Sequence, residues 1–192
     1  MPAPARTSRD AIVDAARAIL EEDGLEGVSM QAVAERVGVR APSLYKHVAD
    51  RTALIRAVTE AVTGDLAVAL RIPRPAPDAR DDLRTIARRY RTFVRRNPAG
   101  YGLLFGRVDP DALPDASILA ALGEPIVAAT RRIVGEDGAL EAARTFVAWA
   151  HGFTSLELAG GFRLGGDLDA AYERGIELIL AGLSGRASPA TA

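Results

Sequence analysis

The chain has 192 residues, 48% hydrophobic and 26% charged, an ordinary globular balance with enough length for a real core. The longest stretch without Asp, Glu, Lys or Arg is Thr145 to Leu156, 12 residues; this is short of the roughly 20 needed to span a bilayer, and no secretion-signal pattern opens the chain, so a cytoplasmic protein with no membrane partner is expected. With no cysteine, two histidines, a net charge of −1 and a pI near 6.2, disulfides and Cys-ligated zinc are excluded, no metal site or cofactor is expected, and nucleic-acid binding would have to come from a local patch.

Almost every apolar pattern has helical spacing, and no run alternates long enough to make a strand. Ile12, Ala15, Ala16, Ile19 and Leu20 predict an amphipathic helix from about Ser8 to Asp23, stopped by Gly24. Ser29 caps a short second helix with Met30, Val33, Ala34 and Val37 inward, and Gly38 ends it. Pro42 suits the first turn of a third helix ending near Val48, and Asp50 caps a fourth running to about Leu70. The prolines between Ile72 and Arg80 make a linker or long loop. Helices follow over about Asp81–Arg96, a short piece at Tyr101–Phe105, Asp115–Val134, Ala139–Gly160 and Leu168–Leu183, with a loop at 107–114. The expected fold is all-α with about nine helices. An N-terminal three-helix domain (1–50) joins a larger helical domain (51–185), and a small polar tail (186–192) is expected to be disordered.

Ser29 to Arg51 carries the chemistry. Two short helices flank the tight turn Gly38-Val39-Arg40-Ala41, the form of a helix-turn-helix. At 100° per residue, Ala41, Leu44 and Val48 face inward. Pro42, Ser43, Lys46 and His47 face outward with Tyr45 at the boundary, and that outer face has no acidic residue. A recognition helix needs such a face because base edges and phosphates present mainly acceptors, which repel carboxylates. Arg36, Arg40, Lys46 and Arg51 outnumber Glu35 and Asp50 there, Arg6 and Arg9 add a basic arm, and Lys46 is the only lysine of the chain.

Several motifs resemble the N-terminal DNA-binding domain of the TetR (tetracycline-repressor-type) transcriptional regulators. They are Ala11-Ile12-Val13-Asp14-Ala15-Ala16, Asp23-Gly24-Leu25, Val33-Ala34-Glu35-Arg36-Val37-Gly38-Val39, Leu44-Tyr45-Lys46-His47-Val48 and Asp50-Arg51-Thr52-Ala53-Leu54. Val48 and Arg51 stand where Phe and Lys are commoner in the family, and both keep the chemical character. The resemblance implies that Ser29, Gln31, Arg40, Ser43, Tyr45, Lys46, His47 and Arg51 lie at double-stranded DNA, with Tyr45 and His47 mostly holding phosphates. It also implies repression rather than activation, by a homodimer on a palindromic operator. Trp149-Ala150-His151-Gly152-Phe153 with Leu156-Glu157-Leu158 resembles the Trp-x-His-Gly signature of one TetR C-terminal subclass, whose domains hold the dimer interface and usually an inducer pocket.

Aromatics are scarce but gather between residues 90 and 162. Tyr90, Phe93, Phe105, Trp149, His151 and Phe153 are therefore candidate ligand contacts, for a small-molecule inducer that is largely apolar. Two bland alternatives stand beside this: Trp149 and Phe153, at i and i+4, fill a core, and His151 is a buried structural histidine. No catalytic residue is assigned, since helical i, i+4 spacing of His151 and Ser155 seldom gives hydrolase geometry. A helical ligand carrier or enzyme without a DNA role explains the C-terminal part equally well, but leaves the acid-free face of Ser43, Lys46 and His47 without a reason.

Overall fold

The computed structural model describes residues 8–105 and 113–184. Arg6, most of the loop at 107–114 and the tail 186–192 lie outside these described residues. The chain divides into two compact units. One comprises Met1–Asp65 and Asn97–Leu119, the other Leu66–Arg96 and Ala120–Ala192. Nine helical elements appear among the described residues, with no strand.

In the first unit, α1 (Arg9–Gly27) begins where the Ser8 hydroxyl accepts the Ala11 N–H at 3.1 Å, satisfying one of the four N–H groups that a helix start leaves unpaired. Gly24 takes φ 73°, outside helical space, so the regular helix stops there as the sequence predicts; one further turn, Leu25–Gly27, follows. In α2 (Met30–Arg36), Ser29 repeats the cap on Ala32 N–H at 3.1 Å. That helix closes with the Gly38 N–H on the Glu35 carbonyl and the Val39 N–H on that of Ala34. This paired 5→2 and 6→1 closure requires the left-handed φ of 74° that Gly38 supplies.

The third element departs from expectation. Ala41–Lys46 is a 3₁₀ helix, with Ser43 N–H bonded to Arg40 O and His47 N–H to Leu44 O, both at 2.8 Å. Six residues with a proline in the second place are short enough for tighter i→i+3 pairing. Leu44 and Val48 are buried as predicted, so the facing survives the change of helix type. Asp50 caps α3 (Arg51–Leu70) on the Ala53 N–H at 2.8 Å. This unit also contains α5 (Pro98–Phe105), which packs on α1, and the start of α6 (Ala116–Val134). Ile12, Ala16, Leu20, Val33, Leu44, Leu54, Val58, Val62 and Tyr101 are among its buried side chains.

In the second unit, α4 (Ala79–Arg96), the rest of α6, α7 (Ala139–Leu158) and α8 (Leu168–Ser184) bury Leu83, Ile86, Val94, Ile126, Phe146, Tyr172, Ile176 and Leu180. The proline segment ahead of α4 is held rather than loose. Buried Asp82 accepts the Ala76 N–H at 2.9 Å and pairs with Arg132 at 2.6 Å, while Arg132 also donates to the Ala76 carbonyl. Arginines on α4 meet carboxylates on α8, Arg84 with Glu177 at 2.7 Å and Arg88 with Glu173 at 2.7 Å.

These contacts set a pH response. Hydrogen bonds from Arg88 and Arg84 hold the Glu173 and Glu177 carboxyls below their ordinary values. A depressed carboxylate pKa contributes stability above the unfolded value, about 4.3, that disappears as pH falls through the folded one. Desolvation lowers the pKa of His151, so the unfolded chain takes up that proton first, and stability declines as pH drops below about 6.5. Melting curves on acidification should show two stages, and a His151→Gln variant should lack the earlier one. A single stage shared by wild type and variant would refute the His151 assignment.

Candidate nucleic-acid interface

The turn between α2 and the 3₁₀ segment aims a short polar face outward. Tyr45 is 55% exposed, Pro42, Lys46 and His47 are exposed, and Ser43 is half-buried. Leu44 anchors that face from beneath with no exposure at all. Because the inward residues are apolar, the outward side chains are placed by packing rather than by contacts among themselves. No carboxylate lies within Pro42–His47, so the face presents hydroxyl, ammonium and imidazole groups to an acceptor-rich partner.

The structure separates the other residues expected at DNA into those on this face and those engaged within the fold. Arg40 precedes the 3₁₀ segment and is exposed; among the described residues neither it nor Lys46 forms an ion pair. Ser29 is half-buried and spends its hydroxyl on capping α2, and Gln31 donates to Glu35 at 2.6 Å. Arg51 donates to the carbonyls of Val28 at 2.6 Å and Leu25 at 2.7 Å, fastening the start of α3 to the end of α1. Arg36 is neutralised by Glu22 at 2.9 Å, and Arg9 stands 4.0 Å from Glu60. Among the described cations of Ser29–Arg51, Arg40 and Lys46, at the turn itself, are the two with neither a carboxylate nor a carbonyl partner.

Among the candidate ligand residues, Trp149 and Phe153 meet around Tyr172 of α8. The indole stacks on the Tyr172 ring at 5.0 Å, and Phe153 meets it edge-on at 5.0 Å and Phe162 at 4.8 Å. Gly175 makes this possible, since a Cβ there would fall 2.5 Å from the indole ring. Tyr90 is buried, Phe93 half-buried, and half-buried His151 has Nδ1 3.4 Å from the Ser155 hydroxyl. Phe105 belongs to the first unit, where it pairs with Tyr101 at 5.1 Å. An open groove of about 490 Å³ in the second unit is lined instead by Val134, Gly138, Glu141, Ala142, Thr145, Leu178, Ile179, Gly182 and Leu183.

Sequence reasoning missed Arg91. Its guanidinium grips Glu157 through two bonds of 2.6 and 2.8 Å, reaches Asp169 at 2.7 Å and lies 4.8 Å above the Tyr172 ring. Its α4 neighbours Arg84, Arg88, Arg89 and Arg95 look alike in sequence, and the partners that single it out are 66 or more residues away.

Fold and face together define a helix-turn-helix DNA-binding protein, all-helical among its described residues. Residues 12–58 match the family described as "Bacterial regulatory proteins, tetR family", and residues 83–179 match "Tetracyclin repressor-like, C-terminal domain". An uncharacterized HTH-type transcriptional regulator of Mycobacterium tuberculosis is 34% identical over 164 residues, covering 82% of this chain and 73% of that one. The class D tetracycline repressor protein of Escherichia coli is 37% identical over 54 residues, covering 28% of this chain and 25% of its own. A solved structure of a protein of unknown function from Rhodococcus sp. RHA1 superposes with a TM-score of 0.81 at 23% identity, covering 96% of this chain and 99% of that one. The chain belongs to the TetR family of helix-turn-helix transcriptional regulators. Among the described residues, no helix is long and apolar enough to cross a membrane.

Proposed function

We propose that this regulator is a cytoplasmic repressor that binds a palindromic operator as a homodimer and releases it when a small molecule binds. Residues 1–50 are assigned to DNA and 51–185 to ligand binding and dimerisation. The observation that carries the reading is the exposed, acid-free face of Pro42–His47 held on a buried Leu44. Tyr45, Lys46, His47 and Arg40 are its direct contacts; Ser29, Gln31 and Arg51 act at the margin, because their polar groups are already bonded within the fold. Dimerisation is assigned to α7 and α8, whose exposed Leu140, Leu156 and Leu178 are apolar surface that a lone chain leaves in water. A two-fold interface sets the two recognition elements against successive major grooves, about 34–36 Å apart. A largely apolar inducer is assigned to the aromatic region of Tyr90, Phe93, Trp149, His151 and Phe153, and the 37% identity to a tetracycline repressor, which covers only 28% of this chain, leaves its identity open.

Selection of bound fragments from random double-stranded DNA should return an inverted repeat, and light scattering at micromolar concentration should give twice the 20.3 kDa chain mass. Recovery of no preferred sequence, or a monomer mass, would overturn the corresponding half of the reading.

A further inference from the structure

The segment Asn97–Leu119 shares a compact unit with the helix-turn-helix, and α1 holds the helix that opens it through one side chain. The Glu21 carboxylate accepts the Gly100 N–H on Oε1 at 2.7 Å and the Ala99 N–H on Oε2 at 3.1 Å. A helix start leaves four N–H groups without intrahelical partners; Pro98 has no N–H, and Tyr101 already bonds to the Asn97 carbonyl at 2.8 Å. Glu21 therefore supplies, from 78 and 79 residues away, both acceptors that α5 lacks, with a negative charge at the positive end of the helix. The fit is close. A Cβ on Gly100 would come within 3.1 Å of both Glu21 Oε1 and a Val62 methyl.

The position of this cap matters as much as its chemistry. The chain leaves the second unit after Arg96 and enters α5 at Pro98, so the two amides that Glu21 holds follow that boundary by three and four residues. α1 also packs on α2, and α2 packs on the 3₁₀ segment that bears Tyr45 and Lys46.

We propose that Glu21 is a positioning residue for DNA recognition: by capping α5 it links that helix to the DNA-competent arrangement of α1 and α2, so that the cap and bound DNA stabilise one another. This inference rests on the DNA-binding reading above.

The test uses the full-length protein and a duplex recovered by selection from random DNA, with amide hydrogen exchange and equilibrium binding as readouts. In wild type the duplex should slow exchange at Ala99 and Gly100 roughly tenfold. In Glu21→Ala, Gly100 should exchange faster without DNA, the duplex should still slow the α2 amides but no longer those of α5, and Kd should rise at least about fivefold, as reciprocal coupling requires. Glu21→Gln keeps one acceptor oxygen but turns an NH2 toward the second amide, so a folded Gln variant should fall between the two. If the duplex binds wild type and leaves Ala99 and Gly100 unchanged, the proposal fails. It fails equally if Glu21→Ala retains wild-type affinity and DNA-dependent protection of α5. Recovery of no duplex at all would overturn the DNA-binding reading, and this inference with it.

Discussion

A Tyr45→Ala/Lys46→Ala/His47→Ala variant is expected to remain folded and to lose operator binding. All three side chains are exposed, and surface truncations away from caps and core typically change stability by less than about 0.5 kcal/mol. Leu44 and Val48, which hold the segment in place, are untouched. Lys46→Ala alone removes a cation with no ion-pair partner among the described residues, and should cost about 1–3 kcal/mol per contacting subunit. That is roughly 5- to 150-fold in Kd, and a dimer doubles the exponent. Tyr45→Phe removes only a hydroxyl and should cost less. Wild-type binding should weaken steeply with salt, since neutralised phosphates release counterions; the Lys46 variant should show a shallower slope. Equal binding of the same duplex by wild type and a folded triple variant would remove the recognition element from Pro42–His47.

The second large effect is expected in the second unit. Arg91→Ala should destabilise it by about 3–5 kcal/mol, because it strands the Glu157 carboxylate, whose side chain is 13% exposed. For a chain of this size that is a fall in melting temperature of about 10 °C. The carboxylate rather than the lost cation drives the cost, so Arg91→Met combined with Glu157→Leu should recover most of it. Asp169 is 74% exposed and stays solvated in either variant. Urea titration of the two variants separates the terms; a loss under about 1 kcal/mol in Arg91→Ala would show that water reaches Glu157 freely.

Local signals account for much of the architecture. Ser8, Ser29 and Asp50 cap the helices their positions suggest, Gly24 and Gly38 stop helices at positive φ, and the proline-rich stretch separates α3 from α4. Each of these acts within a few residues through its own backbone geometry, so a reading of neighbours suffices. The outward face of Pro42–His47 was legible for a related reason: Leu44 and Val48 face inward whether the turn is α or 3₁₀. Helix type itself was not legible, because the two forms differ by one residue in their hydrogen bonds over a six-residue segment.

What the sequence determined by itself is the all-helical class, the order of the helices and the acid-free recognition face, all of which rest on spacings shorter than a helical turn or two. What only the tertiary structure decided is which charges remain free and which are used. Arg51 looks like a DNA contact in the chain and Arg36 adds to its local positive charge, yet they are held by the carbonyls of Val28 and Leu25 and by Glu22. Glu21 and Arg91 look like ordinary surface charges, yet they join segments 66 to 79 residues apart. A guanidinium or carboxylate takes whichever partner the packed helices bring within about 3 Å, and that choice is made by the burial of distant apolar faces, which no local pattern records.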